Sequence, residues 1–479
     1  MHTDKYELVI GLEVHVQLLT KSKLFCGDSA AFTTAPNTHV SPITLAHPGT
    51  LPKMNSQAIT FAIRLGLALH CDIARNNYFA RKNYFYPDLP KGYQVSQHTT
   101  PICSNGFVTI KSDNGKKQIR LNRIHIEEDA GKSIHDQDDL FTCIDLNRAG
   151  VPLLEIVSEP VLHSSDEAFA YLTELRKLVR WLDICDGNME EGSMRCDANI
   201  SIRLKGETKL GTRVEVKNLN SIRNVKKAIE FEVERLIQIV ENGETIVQQT
   251  RSFDASNDTT FAIRDKEDAN DYRYFADPDL APFHLTDEFI STIQQQLPAF
   301  PNQLKNQFIN EFGLSEYDAA QLCDDKSTAD YFVHTASTCK NYKAIVNWMT
   351  GPLRQYLNEN NSSFESIELK PSTLVQLIQI VDDGKVNFSV ASSKLLPVLF
   401  KEHKHPLQLA EELNLIQVSD SNELENWVNE VIANMPDKVA EYKKGKKGLI
   451  GLFVGEVKKI SKGKADPKMV TELLQNKLN

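Results

Sequence analysis

Carboxylates, an imidazole and several cations recur at every second position in three stretches of this sequence, and residues so spaced share one face of a β-strand. From Tyr6 onward, Leu8, Ile10, Leu12, Val14, Val16 and Leu18 alternate with Glu7, Gly11, Glu13, His15 and Gln17. Further on, Cys196, Ala198, Ile200, Ile202 and Leu204 oppose Arg195, Asp197, Asn199, Ser201 and Arg203, and Val214 and Val216 oppose Arg213, Glu215 and Lys217. The segment His125-Ile126-Glu127-Glu128-Asp129 adds a second acidic cluster, with Glu155 and Glu159 a third source. A lone carboxylate on a strand is ordinarily just solvated. Several crowded together repel one another unless a cation lies between them, which points to Mg²⁺, a hard ion that takes oxygen ligands. Arg195 and Lys217 beside them suit phosphate, so the pattern is that of a Mg-nucleotide site built on a sheet face.

Arg81 to Tyr93 packs cations, aromatic rings and turn formers into one stretch. Its plain reading is a surface loop clamped by aromatic packing. Its functional reading is a loop closing over a nucleotide or the end of a nucleic-acid strand, with Lys82 for phosphate and Asn83 and Tyr84 beside it. Ala130-Gly131-Lys132-Ser133 looks like the end of a P-loop, but position 126 is Ile where that motif needs Gly. The GxSxG and GxGxxG patterns are absent as well, which removes support for a serine hydrolase of that type and for a dinucleotide enzyme. From Asp437 onward, eleven Lys face five acidic residues inside a chain of net charge -10. A basic tail is often only a solvated face, but one opposed to the overall charge suggests a polyanion, RNA first, for Lys443, Lys444, Lys446, Lys447, Lys458, Lys459, Lys462 and Lys464.

The elements that must position these residues follow from the same text. With 479 residues, 41% hydrophobic and 25% charged, the chain supports two to four domains with real cores. Eight cysteines without a CxxC pair signal neither a disulfide framework nor a structural zinc site, and no stretch suits export or membrane insertion, so a reduced cytoplasm is expected. Ser164 or Ser165 caps a helix through Phe169, Leu172, Leu175, Leu178, Val179 and Leu182, and Ser221 caps another that stops at Asn242-Gly243. Between them, Arg195 to Lys217 reads as a hairpin turning at Lys205-Gly206-Glu207. Up to residue 285 the chain is α+β with a mainly antiparallel sheet. Residues 286–405 read as helical, with helix starts at Thr286, Ser315 and Ser372, and 406–479 as a helical tail with starts at Asp420 and Asp466-Pro467.

Eight blocks then become recognisable in order. Gly11 to Gln17 (GLEVHVQ), Ala80 to Asp88 (ARKNYFYPD), His125 to Lys132 (HIEEDAGK), Asp145 to Gly150 (DLNRAG), Leu153 to Pro160 (LLEIVSEP), Gly192 to Asp197 (GSMRCD), Val214 to Leu219 (VEVKNL) and Asp271 to Phe275 (DYRYF) resemble the B-subunit family of the bacterial tRNA-dependent amidotransferases, GatB. The resemblance implies a cradle-shaped catalytic domain akin to glutamine synthetase, a helical domain and a mobile tRNA-binding tail. It implies ATP- and Mg²⁺-dependent phosphorylation of the side-chain carboxylate of Glu on tRNA(Gln) or Asp on tRNA(Asn), followed by displacement of phosphate by ammonia. The implied partners are a glutaminase subunit, GatA, a small subunit, GatC, and the misacylated tRNA. Metal ligands carried over from the family are His15, Glu128 and Glu155, with Glu13 and Glu127 as near alternatives, since alternation leaves open which of Glu127 and Glu128 faces inward. Many relatives carry a zinc knuckle, CxC then CxxC, where this chain has Cys26, Asp28, Ser41 and Thr44, so zinc is not expected. Two rival readings remain: a non-catalytic tRNA-docking subunit of the same complex, and an ATP ligase for free amino acids.

Overall fold

A computed structural model of the chain describes residues 5–113, 115–265, 272–417, 421–461 and 463–478. They form two compact units, Met1–Phe300 and Pro301–Asn479. The first is a mixed α/β unit built on a thirteen-stranded sheet. In chain order its main path uses β1 (Tyr6–Gln17), β2 (Ala80–Asn83), β3 (Tyr93–Ser96), β4 (Gly115–Glu128), β5 (Pro152–Ser158), β6 (Met194–Leu204), β7 (Val214–Leu219), β8 (Gln249–Asp254), β9 (Thr259–Asp265) and β10 (Phe275–Ala276). In space these lie in the order β9, β8, β7, β6, β1, β5, β4, β3, β2, β10. Every neighbour pair on this path is antiparallel except β7 and β8.

The alternation in β1 is the reason it can sit at the middle of this sheet. Ile10, Leu12, Val14 and Val16 are fully buried, while Glu13, His15 and Gln17 on the other face keep solvent access. Each such apolar side chain contributes about 1.5–3 kcal/mol by leaving water. The same core receives Ile63 and Leu65 from α1 (Ser56–Ala68), Leu172, Leu175 and Val179 from α2 (Ser165–Trp181), and Ile229 and Leu236 from α3 (Ile222–Glu241). Local signals set the helix limits: the Ser164 side chain accepts from Glu167 N, the Ser221 side chain accepts from Asn224 N, and α3 stops at Asn242 before Gly243, whose φ is +79°. Phe169 differs from its expected inward place and stays 41% exposed. Strands β6 and β7 form the expected antiparallel pair, and their connection passes through Gly206 at φ +91°.

A helix capped by Thr286, Asp287–Gln295, buries Ile290 and Ile293 in this first core. The second unit is helical throughout. Ser315 caps Glu316–Leu322 as its spacing to Asp318 suggests. The helix expected to open at Ser372 begins one residue earlier, at Pro371, because proline's fixed φ suits the first helical position. Two helical runs widen into π-turns, Met349–Leu353 around Pro352 and Ala391–Leu395. The tail helices Ser421–Asn434, Pro436–Lys443, Ile450–Ile460 and Pro467–Leu478 share a small core of Leu424, Val428, Phe453, Val457, Val470 and Leu474. Asp420 lies outside the described residues, and Asp466 caps its helix through Lys468 N and Met469 N. No described helix is long and apolar enough to cross a membrane.

Candidate active site

Register across the middle of the sheet lines up a row of four polar residues from four strands. His125 of β4 faces Glu155 of β5, Glu155 faces His15 of β1, and His15 faces Arg195 of β6. One row away, Arg123 pairs with Val157, Val157 with Glu13, and Glu13 with Asp197. Antiparallel partners project to the same side of a sheet, so both rows share one face. That face forms the floor of a cavity of about 820 Å³, lined among others by Glu13, His15, Glu127, Glu155, Asp197 and Glu215.

Two sets of side chains on this floor converge closely enough to hold a metal ion: His15 with Glu127 and Glu155, and Glu13 with Asp197 and Glu215. In the first set, His15 Nε2 is 3.4 Å from Glu155 Oε2. The Glu127 carboxylate accepts from Ser96 Oγ at 2.7 Å and from Gln94 Nε2 at 3.0 Å. Burial alone would raise the Glu155 pKa, but the imidazoles of His125 and His15 and the Arg123 guanidinium hold it well below the usual carboxylate range. Burial is likewise outweighed at Glu127, by His125. The second set behaves differently. Burial, Glu155 and Asp197 push the Glu13 carboxyl upward, although Asn199 Nδ2 donates to it at 3.0 Å. Lys217 bonds Asp197 and lies 3.1 Å from Glu215 Oε1, standing as the cation among these carboxylates. One nitrogen and five carboxylates suit a hard divalent cation, and the chemistry of the donors fits Mg²⁺.

Positive groups flank both sets. Arg195 donates to the buried Asp129 carboxylate at 2.9 Å, which also accepts from Gln17 Nε2 at 2.7 Å. Lys82 stands between the rings of Tyr84 and Tyr272, 5.7 and 5.0 Å from their centroids, and lines the cavity with them. The guanidinium groups of Arg123 and Arg195 keep partial solvent access and line the same cavity, which sets positive charge at the floor for an anion.

Comparison with known proteins decides what this floor belongs to. The GatB/GatE catalytic domain model matches residues 8–291, and a GatB domain model matches residues 330–478. The B subunit of the aspartyl/glutamyl-tRNA(Asn/Gln) amidotransferase from Thermodesulfovibrio yellowstonii is 45% identical over 470 residues, 98% of each chain. Those of Chlorobium phaeobacteroides and Geotalea daltonii are 47% identical over 475 and 479 residues, in each case 99% of both chains. The chain belongs to the GatB family.

Within this GatB-family site, the expected residues separate. Glu13, His15, Glu127, Glu155, Arg195, Lys217, Lys82 and Tyr84 all line the large cavity. Glu128 lies elsewhere: its carboxylate accepts from Val95 N at 2.9 Å, pairs with Lys91, and lines a separate cavity of about 130 Å³ with Lys23, Phe25 and Cys26. Asn83 is turned to the backbone, where its amide donates to Arg273 O at 2.8 Å and so fastens the Tyr272 to Phe275 segment. Sequence reasoning gave no site role to Arg123, His125, Asp197, Glu215, His98 and Tyr274 as individual residues, and counted Asp129 only within the 127 to 129 cluster. His125, Asp197, Glu215 and Tyr274 sit inside quoted stretches, and Arg123 lies two residues before one, on the same two-residue period. His98 gave no signal, because it lies on a loop and stacks on Tyr274 at 5.2 Å. The false P-loop glycine has a packing role, since a Cβ on Gly131 would lie 2.9 Å from the carbonyls of Asp88 and Asp145.

At the positions set against a CxC and CxxC pattern in the sequence, Asp28 Oδ2 accepts from Ser41 N at 2.8 Å and from Thr44 Oγ1 at 2.5 Å, and Cys26 Sγ lies 3.4 Å from Thr44 Oγ1. One thiol with two hydroxyls and a carboxylate already engaged is a poor zinc donor set. In the tail, Lys443, Lys444 and Lys458 are exposed at or near helix C-termini. Lys446 and Lys459 pair with Glu441 and Glu456, Lys447 covers the Tyr442 ring, and Lys464 donates to Asn414. Lys462 lies outside the described residues.

Proposed function

We propose that the polar face of β1, β4, β5, β6 and β7 carries out the kinase and amidation steps of a tRNA-dependent amidotransferase. The carboxylate of Glu on tRNA(Gln) or Asp on tRNA(Asn) bonds the γ-phosphorus of ATP as the β–γ bridging bond breaks and ADP leaves. Ammonia then forms the C–N bond as phosphate departs, and the nitrogen loses a proton. A carboxylate is a poor acyl donor until phosphorylation supplies that leaving group, and the charge that builds up in transfer needs cations. His15, Glu127 and Glu155 would hold one Mg²⁺, and Glu13, Asp197 and Glu215 are a second candidate set. Bound there, Mg²⁺ neutralises phosphate charge. Arg195 and Arg123 present guanidinium donors to the same anion, Lys217 and Lys82 add positive charge, and Asp129 keeps Arg195 aimed.

The observation that carries this reading is the convergence of two carboxylate sets and three or more cations on one cavity floor. Ammonia is supplied by a GatA-type glutaminase subunit, with a GatC-type small subunit completing the complex. The chain up to Phe300 serves as the cradle, of the glutamine-synthetase type, with the helix Asp287–Gln295 packed in its core and so not in the helical domain that was expected to begin at 286; 301–405 serves as the helical domain and 406–479 as the tRNA-binding tail, with the loop at Cys26 working without zinc. The test is transfer of labelled γ-phosphate to Glu-tRNA(Gln) by the complex carrying Glu127→Gln. Loss of at least about a hundredfold is expected. Unchanged transfer removes the floor from the chemistry and favours a docking subunit.

A further inference from the structure

His125 is the one fully buried ionisable side chain among the described residues of the central row, and it touches both carboxylates that converge with His15. Its Nε2 lies 3.0 Å from Glu127 Oε1 and 3.6 Å from Glu155 Oε2. Ionised carboxylates only accept hydrogen bonds, so the nitrogen between them must carry the proton and donate. Nδ1 is buried without a partner, which leaves Nε2 as the working end of the ring. The ring has little freedom to turn away, because its edge meets the His98 ring at 5.8 Å and 87°, and His98 is itself stacked on Tyr274. Glu127 comes from the same strand two residues on, whereas Glu155 comes from the neighbouring strand. Nothing in backbone register alone fixes the gap between their oxygen atoms.

Resting on the metal site proposed above, we infer that His125 is a positioning residue: its Nε2–H donates to Glu127 while lying 3.6 Å from Glu155 as an electrostatic contact, and so holds Glu127 at the distance from Glu155 where, with His15 Nε2, they meet one divalent cation. Two facts separate this from plain packing. A hydrophobic ring of the same size fills the same volume, so packing does not require nitrogen there. And two like charges brought this close in a buried place separate unless a donor sits between them. Donors that orient ligating carboxylates from behind commonly change metal affinity about 10–100-fold when removed.

The test uses the complex with its amidase-type and small partner subunits, no tRNA and no ATP, with Mn²⁺ as the probe followed by electron paramagnetic resonance. His125→Phe, a somewhat larger ring that keeps the site filled and loses the donor, is expected to weaken Mn²⁺ binding about 10–100-fold. His125→Gln, whose amide nitrogen reaches the place of Nε2, is expected to recover most of that loss. Wild-type affinity in the Phe variant, or a Gln variant as weak as the Phe variant, overturns the inference. If the Phe variant does not assemble, His125→Ala takes its place in the same comparison. Glu127→Gln and Glu155→Gln are measured alongside: if both bind Mn²⁺ normally, the metal site itself is wrong. If they lose Mn²⁺ while His125→Phe keeps it, only the role given to His125 fails.

Discussion

Glu127 and Glu128 are consecutive residues whose carboxylates enter different cavities: Glu127 meets Ser96 and Gln94 on the floor of the larger one, and Glu128 meets Lys91 and Val95 N in the smaller. Period-two geometry forces this separation, since adjacent residues of a strand point to opposite sides. Only one of the pair can therefore ligate an ion held by His15. Isothermal titration of Mg²⁺ into the complex is expected to show binding weakened at least about tenfold by Glu127→Gln and unchanged by Glu128→Gln. The reverse order would move the ion to the smaller cavity.

Asp129 is nearly enclosed and faces Arg195 at 2.9 Å and Arg148 at 3.7 Å. Asp129→Asn leaves both guanidinium groups without their charge partner. Because both arginines keep partial access to water, the expected loss of stability is about 2–3 kcal/mol and not the larger cost of a sealed pair. A fall in the urea midpoint measures it. Combining it with Arg195→Met should cost less than the two single changes added together, and strict additivity would deny the coupling.

Glu13 and Glu155 respond to pH with opposite sign. Burial and the neighbouring Glu155 and Asp197 raise the Glu13 pKa, so its ionised form costs stability above the ordinary glutamate pKa of about 4.3 and costs nothing below it. Glu13→Gln is expected to raise the metal-free melting temperature at pH 7 by about 1–2 degrees, about 1 kcal/mol, with the gain gone near pH 4 and activity lost. At Glu155, burial is overcome by His125 and His15, which lower the pKa. It adds stability above about pH 4.3 that is lost as the pH falls through the lowered value. Calorimetry of Glu13→Gln and Glu155→Gln from pH 7 to pH 3 checks both signs, and a stability gain for Glu13→Gln that persists at pH 3 contradicts the first.

Neutralising the exposed tail lysines Lys443, Lys444 and Lys458 to Ala is expected to weaken tRNA binding and flatten its salt dependence, by roughly 0.7–0.9 in log–log slope for each phosphate no longer neutralised. Fluorescence anisotropy over a range of KCl concentrations reads both. An unchanged slope would mean that these lysines only complement the C-terminal ends of their helices.

Much of this was legible from the residues. Alternation in Tyr6–Gln17 and Met194–Leu204 announced strands and their polar faces, and serine caps at 164, 221 and 315 marked helix starts. Which strands are neighbours was not legible, because hydrogen-bond partners up to about two hundred residues apart leave no periodic trace. Hence Asp197 and Glu215 stood in quoted runs without being joined to Glu13, and His125 was seen as part of an acidic segment and not as the wedge between two of its acids. Glu127 and Glu128 stayed open although the alternation settles them from behind: Ile124 and Ile126 share a face with Glu128, which puts Glu127 with Arg123 and His125. The π-turn around Pro352 escaped for another reason: its apolar spacing resembles that of an ordinary helix.

The row of His15, Glu155, His125 and Arg195 draws on four strands that the ribosome delivers far apart in time. Since β6 supplies Arg195 and Asp197 and closes against β1, no nascent chain shorter than about two hundred residues can carry the full row or the second carboxylate set, whatever local structure it has formed. Completion of the cationic side of the floor is thereby tied to completion of the sheet, so a truncated or stalled product lacks the arginine that faces His15.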